Sequence, residues 1–129
     1  MRGGDYISTI AHFDLPVDDP QRAQKFYSEL LDWKFNQVPV GPPYFLIETQ
    51  DLEGKPGVGG GMGKRQAPDQ KIVNYFGVVS VEESLAKVIK LGGKVIMPKN
   101  LVPGWGYLAI CQDTESNTFG LWEEEKEAK

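Results

Sequence analysis

The stretch HFDLPVDDPQRAQKFYSELLDWKF, residues 12–35, decides the fold. Its first six residues have the alternation of a strand. Asp19 followed by Pro20 then sets a helix start, because an aspartate side chain accepts from free N–H groups and proline tolerates the first helical position. Ala23, Phe26, Tyr27, Leu30 and Leu31 recur at helical spacing and give one apolar stripe. A strand therefore runs into an amphipathic helix. The only histidine of the chain, His12, stands on that strand.

Further along, a second stretch has the same form. IVNYFGVV, residues 72–79, leads into SVEESLAKVIKLGG, residues 80–93. Ser80 and Glu83 read as a capping box, Val81, Leu85, Val88 and Ile89 as the apolar stripe, and Gly92 or Gly93 as the helix stop. A shift of 62 positions lays His12 on Asn74, Phe13 on Tyr75 and Val17 on Val79. Three strand-like runs follow each helix: WKFNQVPV, YFLIET and GVGGGMGK after the first, KVIMPKN, GYLAICQ and TFGLWEE after the second. Gly-Pro-Pro at 41–43, DLEGKPG, Val-Pro-Gly and the hairpin-like DTESN separate them. The order predicts an α+β fold of two βαβββ modules, about residues 8–64 and 72–123, within a single domain spanning 1–129. Each amphipathic helix must cover one sheet face, so curved, mainly antiparallel sheets with the helices on the outer faces leave a concave space within.

Composition removes several functions. With 129 residues, 40% of them hydrophobic, the chain is long enough for a real core. A net charge of −4 supplies no basic field for phosphate backbones or anionic lipid, so neither nucleic acid nor membrane is an expected partner. Cys111 is the single cysteine and cannot form an internal disulfide. No secretion signal or apolar span stands out, and a cytoplasmic location is the expectation. The EEEKEAK end reads as solvated. GVGGGMGKR lacks the Lys-Ser/Thr ending of a phosphate loop and leads into no helix, so it is not a nucleotide site.

Together, HFDLPVDDPQRAQKFYSELLDWKF, GVGGGM, VVSVEESLAKVIKLGGKVIMP and GYLAICQDTESNTFGLWE span about residues 8–123. In order and spacing they resemble the vicinal oxygen chelate superfamily, the glyoxalase/bleomycin-resistance/dioxygenase group. GVGGGM and FGLWE are more similar to its uncharacterised glyoxalase-related branch than to glyoxalase I. In metal-dependent members, the first and last strands of both modules supply His or Glu ligands. The resemblance carries these positions onto His12, Asn74, Gly120 and a residue near Gly60. Three of the four cannot ligate as His or Glu does, so no metal site and no cofactor are expected, and a divalent metal is a minor alternative.

The expected ligand-binding set is His12, Asp14, Tyr44, Gly60, Asn74, Phe76, Trp105, Gly120 and Trp122. Asp14 shares a strand face with His12, and these two are the weak catalytic candidates. Glu48 and Glu123 are further donors from other strands. With His12 and Asn74 facing the concavity, Phe76 and Val78 point there as well, Thr118 and Trp122 share a face with Gly120, and Phe13, Tyr75 and Val79 pack beneath the helices. Tyr44 and Trp105 stand beside Gly/Pro loops at the mouth. The glycine run 59–61 implies a bulge, a bend or close approach of another group. Cys111 is expected to be buried rather than nucleophilic, since no second histidine exists to activate it.

These features point to a glyoxalase-related protein with a cavity for a small organic molecule. It is expected to be metal-independent, with its reaction unassigned. A lyase or isomerase is the enzymatic form of this reading, and typical glyoxalase I activity is not expected. The alternative is a binding or sequestering protein of bleomycin-resistance type, and a metal-dependent lyase or dioxygenase is the least favoured. Exposed sheet edges predict a homodimer.

Overall fold

The computed structural model describes residues 6–39 and 41–125. The fold is mixed α+β: ten elements run in the order β1 (Ile10–Val17), α1 (Pro20–Leu31), β2 (Lys34–Gln37), β3 (Tyr44–Glu48), β4 (Gly59–Lys64), β5 (Val73–Gly77), α2 (Val81–Lys90), β6 (Lys94–Val102), β7 (Gly106–Gln112) and β8 (Thr118–Glu124). Residues 126–129 of the acidic end lie outside the described residues. Contacts divide the chain into two compact units, His12–Val73 and residues 6–11 with 74–125.

In the first unit the strands lie in the order β2, β3, β4, β1. The β2–β3 and β3–β4 pairs are antiparallel, whereas β1 and β4 are parallel. The cap acts as the sequence implies: Asp19 Oδ1 accepts from the Arg22 N–H at 3.1 Å, with Pro20 in the first turn. The helix ends at Asp32, whose left-handed backbone turns its N–H back to the Ser28 carbonyl. Only part of the expected apolar stripe packs on the sheet, because Phe26, Leu30 and Leu31 are exposed. Leu15, Val17, Ile47 and Met62 form the buried cluster, with Phe13, Ala23, Tyr27, Trp33, Phe35 and Phe45 packed against it. Tyr27 stacks on Trp33 at 4.9 Å, and Trp33 also meets the Phe13 ring at 5.5 Å. The odd-numbered residues of β1 thus face the helix. His12 and Asp14 take the other face by alternation.

The second unit orders its strands β5, β8, β7, β6, again with one parallel pair, β5–β8. Ser80 Oγ accepts from the Glu83 N–H at 3.1 Å, and Gly92 takes positive φ to stop α2. Val81, Ala109, Cys111 and Leu121 are buried together, with Val78, Leu85, Val88, Val95, Tyr107 and Phe119 against them. Here the inferred register needs correction by one residue. The helix caps Asp19 and Ser80 lie 61 positions apart. Phe76 pairs with Leu121 and its ring meets Phe119 at 5.7 Å, so Phe76 faces the helix side. Tyr75 pairs with Gly120 and takes the opposite face. The expected roles of Phe76 and Tyr75 are therefore exchanged, because a slip of one residue turns every side chain of a strand over.

Candidate functional site

In the first unit, the face of the sheet turned away from α1 gathers the polar side chains. His12 and Asp14 come from β1, Tyr44, Leu46 and Glu48 from β3, and Gly59, Gly61 and Gly63 from β4, as alternation and register require. Tyr44 leaves the Gly-Pro-Pro turn and crosses β4. Its Oη donates to Asp14 Oδ1 at 2.9 Å. That crossing depends on a missing side chain: a β-carbon on Gly61 would run into the Oη and Cζ of Tyr44, and one on Gly63 would lie 3.1 Å from its Cδ1.

Burial shifts both ionisable groups toward their neutral forms. Desolvation pushes the Asp14 carboxyl up, against the hydrogen bond from Tyr44 and the charge of His12, which both lower it. Desolvation holds the His12 imidazole below its ordinary range, against the raising effect of Asp14. Losing water disfavours charge on either group. The result is a half-buried trio of hydrogen-bonding groups in which a carboxyl and an imidazole sit two residues apart, able to orient an oxygen-bearing molecule or to exchange a proton with it.

Other expected residues lie elsewhere. Gly60 belongs to the opposite face, beneath the Phe13 ring, which occupies the space a β-carbon would need. Gly120 opens no space either, because the Tyr75 ring covers it. Both glycines stand in the expected ligand-binding set; each instead admits an aromatic ring of its own chain. Asn74 is exposed on β5, Trp105 is exposed in the turn between β6 and β7, and Trp122 is half-buried on the face it shares with Gly120 and Tyr75. Glu123 is no ligand donor: its Oε1 accepts from the Val81 N–H at 2.9 Å and so caps α2. Cys111 is fully buried, and burial pushes its thiol up, against nucleophilic use.

An open hollow is lined by Asp18, Arg65, Gln66, Ala67 and Pro68. Arg65 gives each of its side-chain nitrogens to the chain, Nε to Asp18 at 3.0 Å, one terminal nitrogen to the Pro16 carbonyl at 3.2 Å and the other to the Gln70 carbonyl. Its work is structural. Among the described residues, no three His, Cys, Asp or Glu side chains gather into a group that could hold a metal ion, and no helix is long and apolar enough to cross a membrane.

Sequence reasoning missed Gly61, Tyr75 and the Tyr44–Asp14 bond. The signal for the first was present in GVGGGMGK, where glycines at 59, 61 and 63 share one parity. The bond joins residues 30 positions apart and leaves no local trace.

Comparison with known proteins agrees with this architecture. Residues 9–50 match the family described as bleomycin resistance protein-like N-terminal. A candidate glyoxylase of Mycobacterium tuberculosis, CFP32, is 30% identical over 120 residues, covering 85% of this chain and 43% of the relative. The chain thus spans less than half the length of that mycobacterial protein. A glyoxylase-like domain-containing protein of Didymella fabae is 28% identical over 116 residues, covering 87% of this chain and 91% of the relative. Among solved structures, a Streptomyces coelicolor methylmalonyl-CoA epimerase variant in complex with 2-nitronate-propionyl-CoA superposes with a TM-score of 0.71 at 12% identity, over 96% of this chain and 99% of that one. A hypothetical protein from Bacillus halodurans gives 0.68 at 15% identity, over 96% and 99%. The match at residues 9–50 and the glyoxylase-named relatives support the vicinal oxygen chelate superfamily, the glyoxalase/bleomycin-resistance group, and the fold shared with the solved structures is consistent with it.

Proposed function

We propose that the chain binds a small, uncharged organic molecule through a carbonyl or hydroxyl oxygen at the His12–Asp14–Tyr44 face, without a resident metal. The observation carrying this reading is the 2.9 Å bond from Tyr44 to Asp14 on a half-buried sheet face. A carboxyl with a raised pKa keeps its proton to higher pH than a free one, and Tyr44 fixes its orientation. His12 and Asp14 do not fit the several-ligand set that holds a transition metal. As an enzyme, the protein would be a lyase or isomerase with Asp14 as the proton-exchanging group. A sequestering role is the second reading, favoured because the bleomycin-resistance-like match at residues 9–50 contains His12, Asp14 and Tyr44. The two units are read as copies of one βαβββ module in a single domain, with curved sheets and the helices outside. The chain is read as a cytoplasmic homodimer.

A thermal-shift screen against metabolites and metals tests the reading, since a ligand of the native state raises the melting temperature. A stabilising organic ligand should lose its effect in Asp14→Asn and His12→Ala. Without a reaction, the sequestering form stands. Elemental analysis should find substoichiometric metal; stoichiometric nickel, zinc, iron or manganese that disappears in His12→Ala overturns metal independence. A monomer mass by light scattering removes the dimer.

A further inference from the structure

α1 carries its charges against its own dipole. Arg22 stands in the first turn and Glu29 in the last, with no acid in the first turn and no base in the last. α2 has the opposite, favourable order, with Glu82 and Glu83 at its start and Lys87 and Lys90 at its end. The apolar residues of α1 are divided as well. Ala23 and Tyr27 pack on the sheet, whereas Phe26 and Leu30 are 59% and 62% exposed. By helical spacing Arg22, Phe26, Glu29 and Leu30 share one face, with Lys25 beside Glu29 at 4.0 Å. An exposed apolar pair thus sits between an arginine and a glutamate that the helix itself disfavours at those ends.

We propose that this face of α1 binds the same face of a second copy of the chain, the two helices running antiparallel about a two-fold axis at Phe26. The inference rests on the homodimer reading above and names its surface, a helix face rather than a sheet edge. An antiparallel neighbour corrects the charge order: the electropositive helix start that carries Arg22 lies beside the electronegative end that carries Glu29 of the second copy. With Phe26 on the axis, Arg22 of one copy lies about 6 Å along the helix from the crossing point, level with Leu30 of the other, and Glu29 of the other lies about 4.5 Å along. The guanidinium therefore reaches the carboxylate while its stem covers Leu30, and the two-fold axis repeats the contact on the other side. A parallel pair would instead oppose Arg22 to Arg22 and Glu29 to Glu29. A single helix face buries less than the roughly 1,200 Å² where stable interfaces usually begin, so the dimer is weak, with a dissociation constant on the order of 10–100 µM.

Sedimentation equilibrium of the whole chain from about 5 to 500 µM tests the surface and should show a reversible monomer–dimer equilibrium. Replacing the exposed apolar pair, Phe26→Ser with Leu30→Ser, should weaken the dimer at least about tenfold, and so should Arg22→Glu. Arg22→Glu has a second signature that a damaged fold would not give. It puts an acid at the helix start, where the dipole and the capped N-terminus favour it, so at about 5 µM its melting temperature should rise while its dimer is lost. Adding Glu29→Arg to Arg22→Glu exchanges the charges and should return the dissociation constant to within about threefold of the native value. A dimer that none of these variants weakens, or one that the charge exchange fails to restore, overturns the α1 surface and leaves the homodimer reading standing. A native chain that stays monomeric throughout overturns both.

Discussion

Each unit covers a strand glycine with a tyrosine ring on the sheet face turned away from its helix. Gly61 lies under Tyr44, and Gly120 under Tyr75. The difference is where the ring comes from. Tyr75 stands on β5, directly beside Gly120 of β8, and is buried. Tyr44 comes from β3, stays half-buried, and sends its hydroxyl across β4 to Asp14 on β1. Asp14 and Tyr75 lie 61 positions apart, the same interval that separates the helix caps. Where one unit places a carboxyl, the other places an aromatic ring. One residue at a matched strand position is enough to turn a packed face into a polar one, because the glycine in the neighbouring strand accepts either arrangement.

The largest expected difference between the two faces is steric. Gly120→Ala drives a β-carbon into a buried ring and should cost about 1–3 kcal/mol of unfolding free energy in urea titration. Gly61→Ala meets the hydroxyl end of a half-buried side chain, so its cost should be smaller, with loss of the bond to Asp14 as the main consequence. Equal losses would break the comparison.

Tyr44→Phe keeps the packing and removes the bond. It should cost about 1 kcal/mol. Because that bond lowers the Asp14 pKa, its removal should move the carboxyl further up in an NMR titration. A downward shift would mean the tyrosine does not stabilise the carboxylate.

The two perturbed groups give stability opposite pH slopes. The folded pKa of His12 is lowered, so its contribution is full above its unfolded value of about 6.5 and is lost as pH falls through the folded value. Asp14 is raised, so its contribution is present below its unfolded value and lost as pH rises through the folded one. Acidification from neutrality should therefore bring a loss from His12, opposed by a gain as Asp14 protonates. His12→Gln should flatten the loss and Asp14→Asn the gain. An unchanged acid limb in His12→Gln would assign it to other groups.

The smallest effect contrasts two surface lysines. Lys25 reaches Glu29 at 4.0 Å with both side chains exposed, and Lys25→Ala should cost less than about 0.5 kcal/mol. Lys99 reaches Glu82 at 3.9 Å and also lies 4.2 Å from the centre of the Tyr107 ring. Lys99→Ala should cost about 0.5–1 kcal/mol. The reverse order, measured by thermal melting, would remove the ring contact as a contributor.

Both helices were legible because their signals are local. Asp19-Pro20 and Ser80 with Glu83 set the starts, but the stripes are buried only in part: Ala23 and Tyr27 of α1 and Val81, Leu85 and Val88 of α2 pack on the cores, whereas Phe26, Leu30, Leu31 and Ile89 are exposed. Strand facing was harder. HFDLPV has an aromatic on one parity, but VNYFGV has Tyr75 and Phe76 on both, so the second strand carries no clean alternation to fix its register. His12 and Asp14 fall on one face from spacing alone. Tyr44 was legible as a residue beside a turn; its partner was not, since a contact across β4 depends on strand order and on a glycine in the neighbouring strand.

The clip between Glu123 and Val81 ties together residues 42 positions apart in the chain. During synthesis, α2 is made before the strand that carries its second cap. Until Glu123 arrives, the first N–H of the helix lacks that carboxylate. A nascent chain stopped ahead of β8 lacks both this clip and the parallel partner of β5, so the second unit reaches its final hydrogen bonding only after β8 has been made. The contiguous first unit has all of its strands as soon as residue 73 is free of the exit tunnel.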